Sequence, residues 1–151
     1  MRTMRRSTMY QFHDGGRAAA GYKGNAHDCV CRSIAITTCL PYKQVYRMLA
    51  EVQAGYKGSP RSARNGIHTH RIGFKRLMRD MGFRWIPLMV GAGEVSPKLG
   101  DFRFPDGRCI ASLSRHYCAV IDNVIYDTFD PRRELDGAFT RRIYGYWILE
   151  D

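Results

Sequence analysis

Between Met81 and Phe83 the chain changes its hydrophobic period, and that change limits its fold more than any other feature of the sequence. Upstream, apolar residues recur at intervals of three and four, the spacing of helices with a buried face. Downstream, short runs of β-branched and aromatic residues are broken by Gly, Pro, Asp and Asn, which is the chemistry of strands and turns. Helices first and strands second is the order of an α+β domain, not of alternating βαβ units. The expected architecture is N-terminal helices with one central helix, packed on a C-terminal antiparallel β-sheet in a single domain over 1–151.

Within the helical half, Cys29, Val30, Ile34, Ile36 and Cys39 suit a helix buried on more than one side, with Asp28 as its N-cap. Pro41 opens a second helix whose stripe of Tyr42, Val45, Tyr46, Leu49 and Val52 ends near Gly55. Phe74, Leu77, Met78 and Met81 mark a third, over 69–81, which Gly82 terminates. Residues 1–23 form a basic arm, flexible or strand-like, with a short strand around 8–12. The Gly- and Arg-containing stretch GYKGSPRSARNG has the composition of a surface loop.

Strands are expected over 83–88, 108–113, 117–121, 124–128 and 143–149. Asp122-Asn123 suits a two-residue hairpin turn, which would set Ile121 opposite Val124 and His116 opposite Phe129. Alternation then puts His116, Cys118, Val120, Ile125, Asp127 and Phe129 on one face, with Asp127 diagonal to His116. Asp130, beside Pro131, has the opposite parity and becomes the alternative acid if the loop is one residue longer.

Those positions matter because a cysteine at a helix start is placed for chemistry. Unpaired N–H groups of the first turn stabilise negative charge on a sulfur there, and an imidazole can take its proton. Cys31, about 200° around the helix from Cys29, reads as a structural thiol. Cys29/Cys31 and His68/His70 lack the spacing of common zinc ligand pairs, and no phosphate-binding or dinucleotide fingerprint is present, so neither a metal nor a cofactor is expected.

A helix-borne cysteine followed far downstream by a histidine and an acid on adjacent strands resembles the papain-like cysteine peptidase superfamily, in the style of its compact bacterial and phage members. DCVCRSIA is similar to their nucleophile helix and HYCAVIDNVIYDTFDP to their histidine and acid hairpin, about a sixth of the chain. The resemblance implies Cys29 as nucleophile, His116 as general base and Asp127 as orienting acid. It also implies an oxyanion hole from the Cys29 backbone N–H and Asn25, which lies closer to the cysteine than the equivalent amide does in papain. The implied activity is that of a thiol hydrolase, a cysteine peptidase or an isopeptidase or amidase. Transglutaminase- or deamidase-like acyl transfer by the same triad is the alternative, and a non-catalytic basic module is the rival from another class.

Charge bears on partners. Residues 1–75 carry 13 Lys/Arg against 3 Asp/Glu, while the remainder carries 11 of each, so the net charge of +10 resides in the first half. A protein or peptide substrate, acidic ones favoured, is the expected partner, with specificity from the loops at 56–67 and 88–107; the basic half offers a route to nucleic acid. Five cysteines without regular spacing, no secretion signal and no long apolar run lead to an expectation of cytoplasmic location, the host cytoplasm for a phage product, with no membrane partner.

Overall fold

The computed structural model describes residues 8–24, 26–55, 58, 61–64, 66–89 and 95–150. In chain order the elements are β1 (Met9–Phe12), α1 (Cys29–Thr38), α2 (Tyr42–Ala54), α3 (Ile72–Asp80), β2 (Phe83–Pro87), β3 (Arg108–Leu113), β4 (His116–Ile121), β5 (Val124–Asp127), β6 (Glu134–Leu135), β7 (Ala138–Phe139) and β8 (Ile143–Leu149). The α+β class expected from the change of period is what the chain adopts.

Six strands join in the order β1-β5-β4-β3-β8-β2, and β6 pairs with β7 as a separate hairpin. One expectation needs correction, because the sheet is mixed: β1 runs parallel to β5, with Tyr10 opposite Ile125 and Phe12 opposite Asp127. All other pairings in the sheet are antiparallel. The N-terminal segment is thus a sheet edge, its strand preceding the helices and pairing with one made more than a hundred residues later. Burial on its four residues is slight, so the sequence carries almost no alternation to announce it.

Side chains of alternating parity divide the core into two layers. Ile110, Tyr117 and Trp147 face the helices, where they meet Val30, Ile34, Leu49, Phe74 and Met78. Cys109, Ala111, Cys118, Val120 and Ile125 face the other way and are covered by Leu99 and Phe104 from the loop before β3. α1 is the central helix: its eight residues from Val30 to Thr37 are all buried. Such a helix can only lie between layers, here between α2 and the β3–β5 strands. No helix among the described residues is long and apolar enough to cross a membrane.

The β4–β5 hairpin has the expected two-residue turn. Asp122 and Asn123 both take positive φ, 49° and 67°, the left-handed pair that matches the twist of the flanking strands. Ile121 is opposite Val124 and Val120 opposite Ile125. The turn is also tied outward: Asn123 Oδ1 accepts the Phe104 N–H at 2.8 Å and Asp122 Oδ1 accepts that of Gly107 at 2.9 Å.

Candidate active site

Cys29 is the first residue of α1, so its N–H and those of the next two residues have no acceptor within the helix. Asp28 does not cap them, contrary to expectation: its φ and ψ are −109° and 27°, and its side chain makes no capping bond. That carboxylate, 2% exposed, turns inward to the Arg32 guanidinium and accepts the Tyr42 hydroxyl at 2.6 Å, with Arg17 Nε 3.4 Å away. A buried carboxylate needs cationic and hydrogen-bonding partners more than an N–H terminus needs a cap, and the Asp28 side chain leaves the first turn uncapped.

The half-buried Cys29 sulfur meets the start of β4. Two successive residues of that strand meet it: the Tyr117 backbone N–H donates to Sγ at 3.4 Å, and the His116 ring is near enough for the sulfur to raise its pKa. His116 Nε2 lies 2.6 Å from Asp127 Oδ2, which leaves Nδ1 as the ring nitrogen for sulfur. Burial pulls the His116 pKa down, but the bonds to Asp127 and Cys29, with their negative charges, outweigh it and raise the value to about 9. A ring so shifted keeps its proton to higher pH than a free imidazole does. The chain matches no family model, no curated protein and no solved structure.

Asp127 is 2% exposed and fully engaged. Besides His116, it accepts the Thr128 N–H at 2.7 Å and Arg32 Nη2 at 3.2 Å, both on Oδ1. Its neighbour in the sequence argument, Asp130, lies away from the imidazole and is forked by Arg132, at 2.7 Å for Nη2 to Oδ2; that bond holds its carboxyl below the usual range. Phe129 stacks beside His116 with ring centroids 5.1 Å apart, the neighbour that extrapolation of the hairpin register predicts.

Arg32 is the residue that sequence reasoning missed. One turn beyond Cys29, its buried guanidinium bridges Asp28 and Asp127, tying the start of α1 to the end of β5. Arg17, Asp28, Arg32, Asp127 and His116 thereby form a line of alternating charge that ends at the Cys29 sulfur. An available signal was an arginine inside the most apolar helix of the chain, a charge that burial permits only when it is paired.

The remaining expectations divide. Cys31 is fully buried with Sγ 3.8 Å from the Tyr42 carbonyl, and burial pushes its thiol up to about 12. His27 is exposed and held by its backbone, whose N–H donates to Arg64 O at 2.7 Å. Asn25 lies outside the described residues, as do 56–57, 59–60, 65 and 90–94 of the two loops expected to carry specificity. Among the described residues, no group of three or more His, Cys, Asp and Glu side chains is arranged to hold a metal.

Two hollows flank this centre. A cavity of about 830 Å³ has Tyr117, Trp147, Trp85, Arg79 and Lys75 in its walls and adjoins the site through Tyr117. A smaller one, about 520 Å³, includes His116 itself.

Proposed function

We propose that the protein is a thiol acyl hydrolase of papain-like build, a cysteine peptidase or related amidase, with Cys29, His116 and Asp127 as nucleophile, proton carrier and orienting acid. The observation that carries this reading is one sulfur at a helix start contacted by a backbone N–H and by an imidazole whose far nitrogen is 2.6 Å from a buried carboxylate. The Tyr117 N–H and the start of α1 both present positive dipole ends to the Cys29 sulfur.

In the proposed cycle the thiolate of Cys29 attacks the acyl carbon and the carbonyl electron pair moves onto oxygen, where the Cys29 N–H can stabilise it. His116 gives its proton to the departing amine as the C–N bond breaks, leaving a thioester on Cys29 and a neutral imidazole. That imidazole then takes a proton from water as the oxygen adds to the thioester carbon. Collapse releases the carboxylic acid and restores the thiolate and imidazolium. Asp127 holds the far ring nitrogen throughout and so fixes which one faces the sulfur. An amine in place of water would give acyl transfer, so whether the product formed in the presence of an added amine is an acid or an amide separates the two outcomes.

Alkylation tests the centre without a known substrate. Iodoacetamide at mildly acidic pH, followed by mass spectrometry of the peptides, should modify Cys29 ahead of the other four thiols. Cys39, exposed and without an imidazole, is the internal control. His116→Ala should slow Cys29 by about 10²-fold or more, the usual scale of an acid–base partner. Equal labelling of Cys29 and Cys39 in the folded protein would sink the proposal.

A further inference from the structure

The hollow that opens on His116 is ringed by guanidinium groups. Ser114, Arg115, His116, Phe129, Arg133 and Arg141 line it, and a second hollow of about 440 Å³ shares Ser114, Arg133 and Arg141 while adding Arg142. The shared walls make one trough that begins at the imidazole and carries four arginines.

Their charge is not neutralised locally. Arg141 Nη2 donates to Ser114 O and Arg142 Nη1 to Ser96 O, which are neutral carbonyls. Arg115 and Arg133 are exposed, and among the described residues no carboxylate is ion-paired with any of the four. Two nearby acids are spent elsewhere, Asp127 on His116 and Arg32 and Asp130 on Arg132, and Glu134 beside Arg133 is exposed. All four arginines belong to residues 76–151, the half of the sequence that is neutral as a whole. Folding therefore gathers at His116 a positive field that the distribution of charge along the chain does not show.

We propose that this trough receives the leaving-group half of the substrate and selects acidic polypeptide, with side-chain or terminal carboxylates against Arg115, Arg133, Arg141 and Arg142. This rests on the thiol reading above. His116 protonates the departing amine, so the chain attached to that amine leaves on the His116 side, where the trough begins. Guanidinium forks match carboxylates in shape and charge and keep their charge at any working pH. The occupant is polypeptide and not nucleic acid because it must be joined to an amine leaving group. The aromatic ring at the mouth, Phe129, is turned toward His116, not opened as a platform for bases.

Two measurements on the full chain test this. Fluorescence anisotropy follows binding of a rhodamine-labelled tetraglutamate peptide, and iodoacetamide alkylation of Cys29 follows its occupancy of the site. Tetraglutamate should bind and slow alkylation several-fold at low salt, tetralysine should do neither, and the effect should fade as salt rises. The R115Q/R133Q variant should weaken tetraglutamate binding about 10-fold and lose the peptide's protection of Cys29, each measured against that variant's own rate without peptide.

Tetraglutamate binding that ignores R115Q/R133Q overturns the proposal, as does binding that leaves alkylation of a selectively reactive Cys29 unaffected. An oligothymidylate that protects Cys29 at lower concentration than tetraglutamate also overturns it, in favour of nucleic acid. Should Cys29 show no selective reactivity at all, the thiol reading is what has failed, and the leaving-group role falls with it; the anisotropy series still reports whether the trough binds acids.

Discussion

Arg32 and Cys29 sit one helical turn apart, and Arg32 pairs with the carboxylate that holds His116. Arg32 is held between two carboxylates that are each 2% exposed, so its removal strands both in the core. Arg32→Met should cost about 3–5 kcal/mol in a urea melt, the usual penalty for breaking a buried ion pair from one side. Arg32→Lys keeps the charge but cannot fork both acids, and should fall between the two in stability and in Cys29 alkylation. His116 gives a second residue-scale expectation. Its pKa rises from an ordinary value of about 6.5 to about 9 on folding, so the folded chain binds more protons than the unfolded one between those limits. The stabilisation is complete below about pH 6.5 and is lost as pH rises through about 9. Urea midpoints should therefore decline across that window, and His116→Gln should flatten the decline. That His116 and Asp127 would meet was legible in the sequence because strand parity places both on one hairpin face. Arg32 was not, since an arginine on a helix reads as solvated until the two acids it bridges are brought to it by folding.

At the scale of elements the β4–β5 hairpin sets the site. Period 2 means that a two-residue turn puts Asp127 on the face of His116, and a single inserted residue would send it to the other face. The turn depends on Asn123, whose backbone is left-handed and whose side chain accepts the buried Phe104 N–H. Asn123→Ala should destabilise by about 2–4 kcal/mol, combining the cost of a left-handed alanine with that of an unpaired N–H. Asn123→Gly incurs only the second cost and should retain more of the stability; comparative denaturation of the two variants checks this. The hairpin was readable because turn chemistry is local. The parallel seating of β1 was not, because four largely exposed residues on an edge bury too little to leave a pattern. The role of Asp28 was misread for a related reason: N-cap preference is local, and the nearby Arg32, Tyr42 and Arg17 offered its carboxylate stronger partners.

For the molecule as a whole, sheet order joins the beginning of the chain to the reactive centre. β1 lies against β5, the Asp127 carbonyl accepts both the His13 N–H at 2.9 Å and the Tyr10 hydroxyl at 3.1 Å, and so the first strand braces the acid's own backbone. Deleting residues 1–12 should lower the selectivity of iodoacetamide for Cys29 by several-fold while leaving the helical circular dichroism in place, because no helix is removed. Charge shows the same gap between sequence and fold. The excess in residues 1–75 is plain from composition, yet the arginines around His116 come from the half that sums to zero.

This seating of β1 on β5 also fixes when the thiol can become reactive during synthesis. Cys29 leaves the ribosome well before its partners: Tyr117 follows 88 positions later, and Tyr10 waits 117 positions for Asp127. Until β4 and β5 have emerged and the sheet has closed, the sulfur has neither imidazole nor N–H donor from the strand, and it behaves as an ordinary cysteine thiol. On the proposed reading, reactivity would arrive late and with the completed sheet, and the unfinished chain would carry no governed nucleophile.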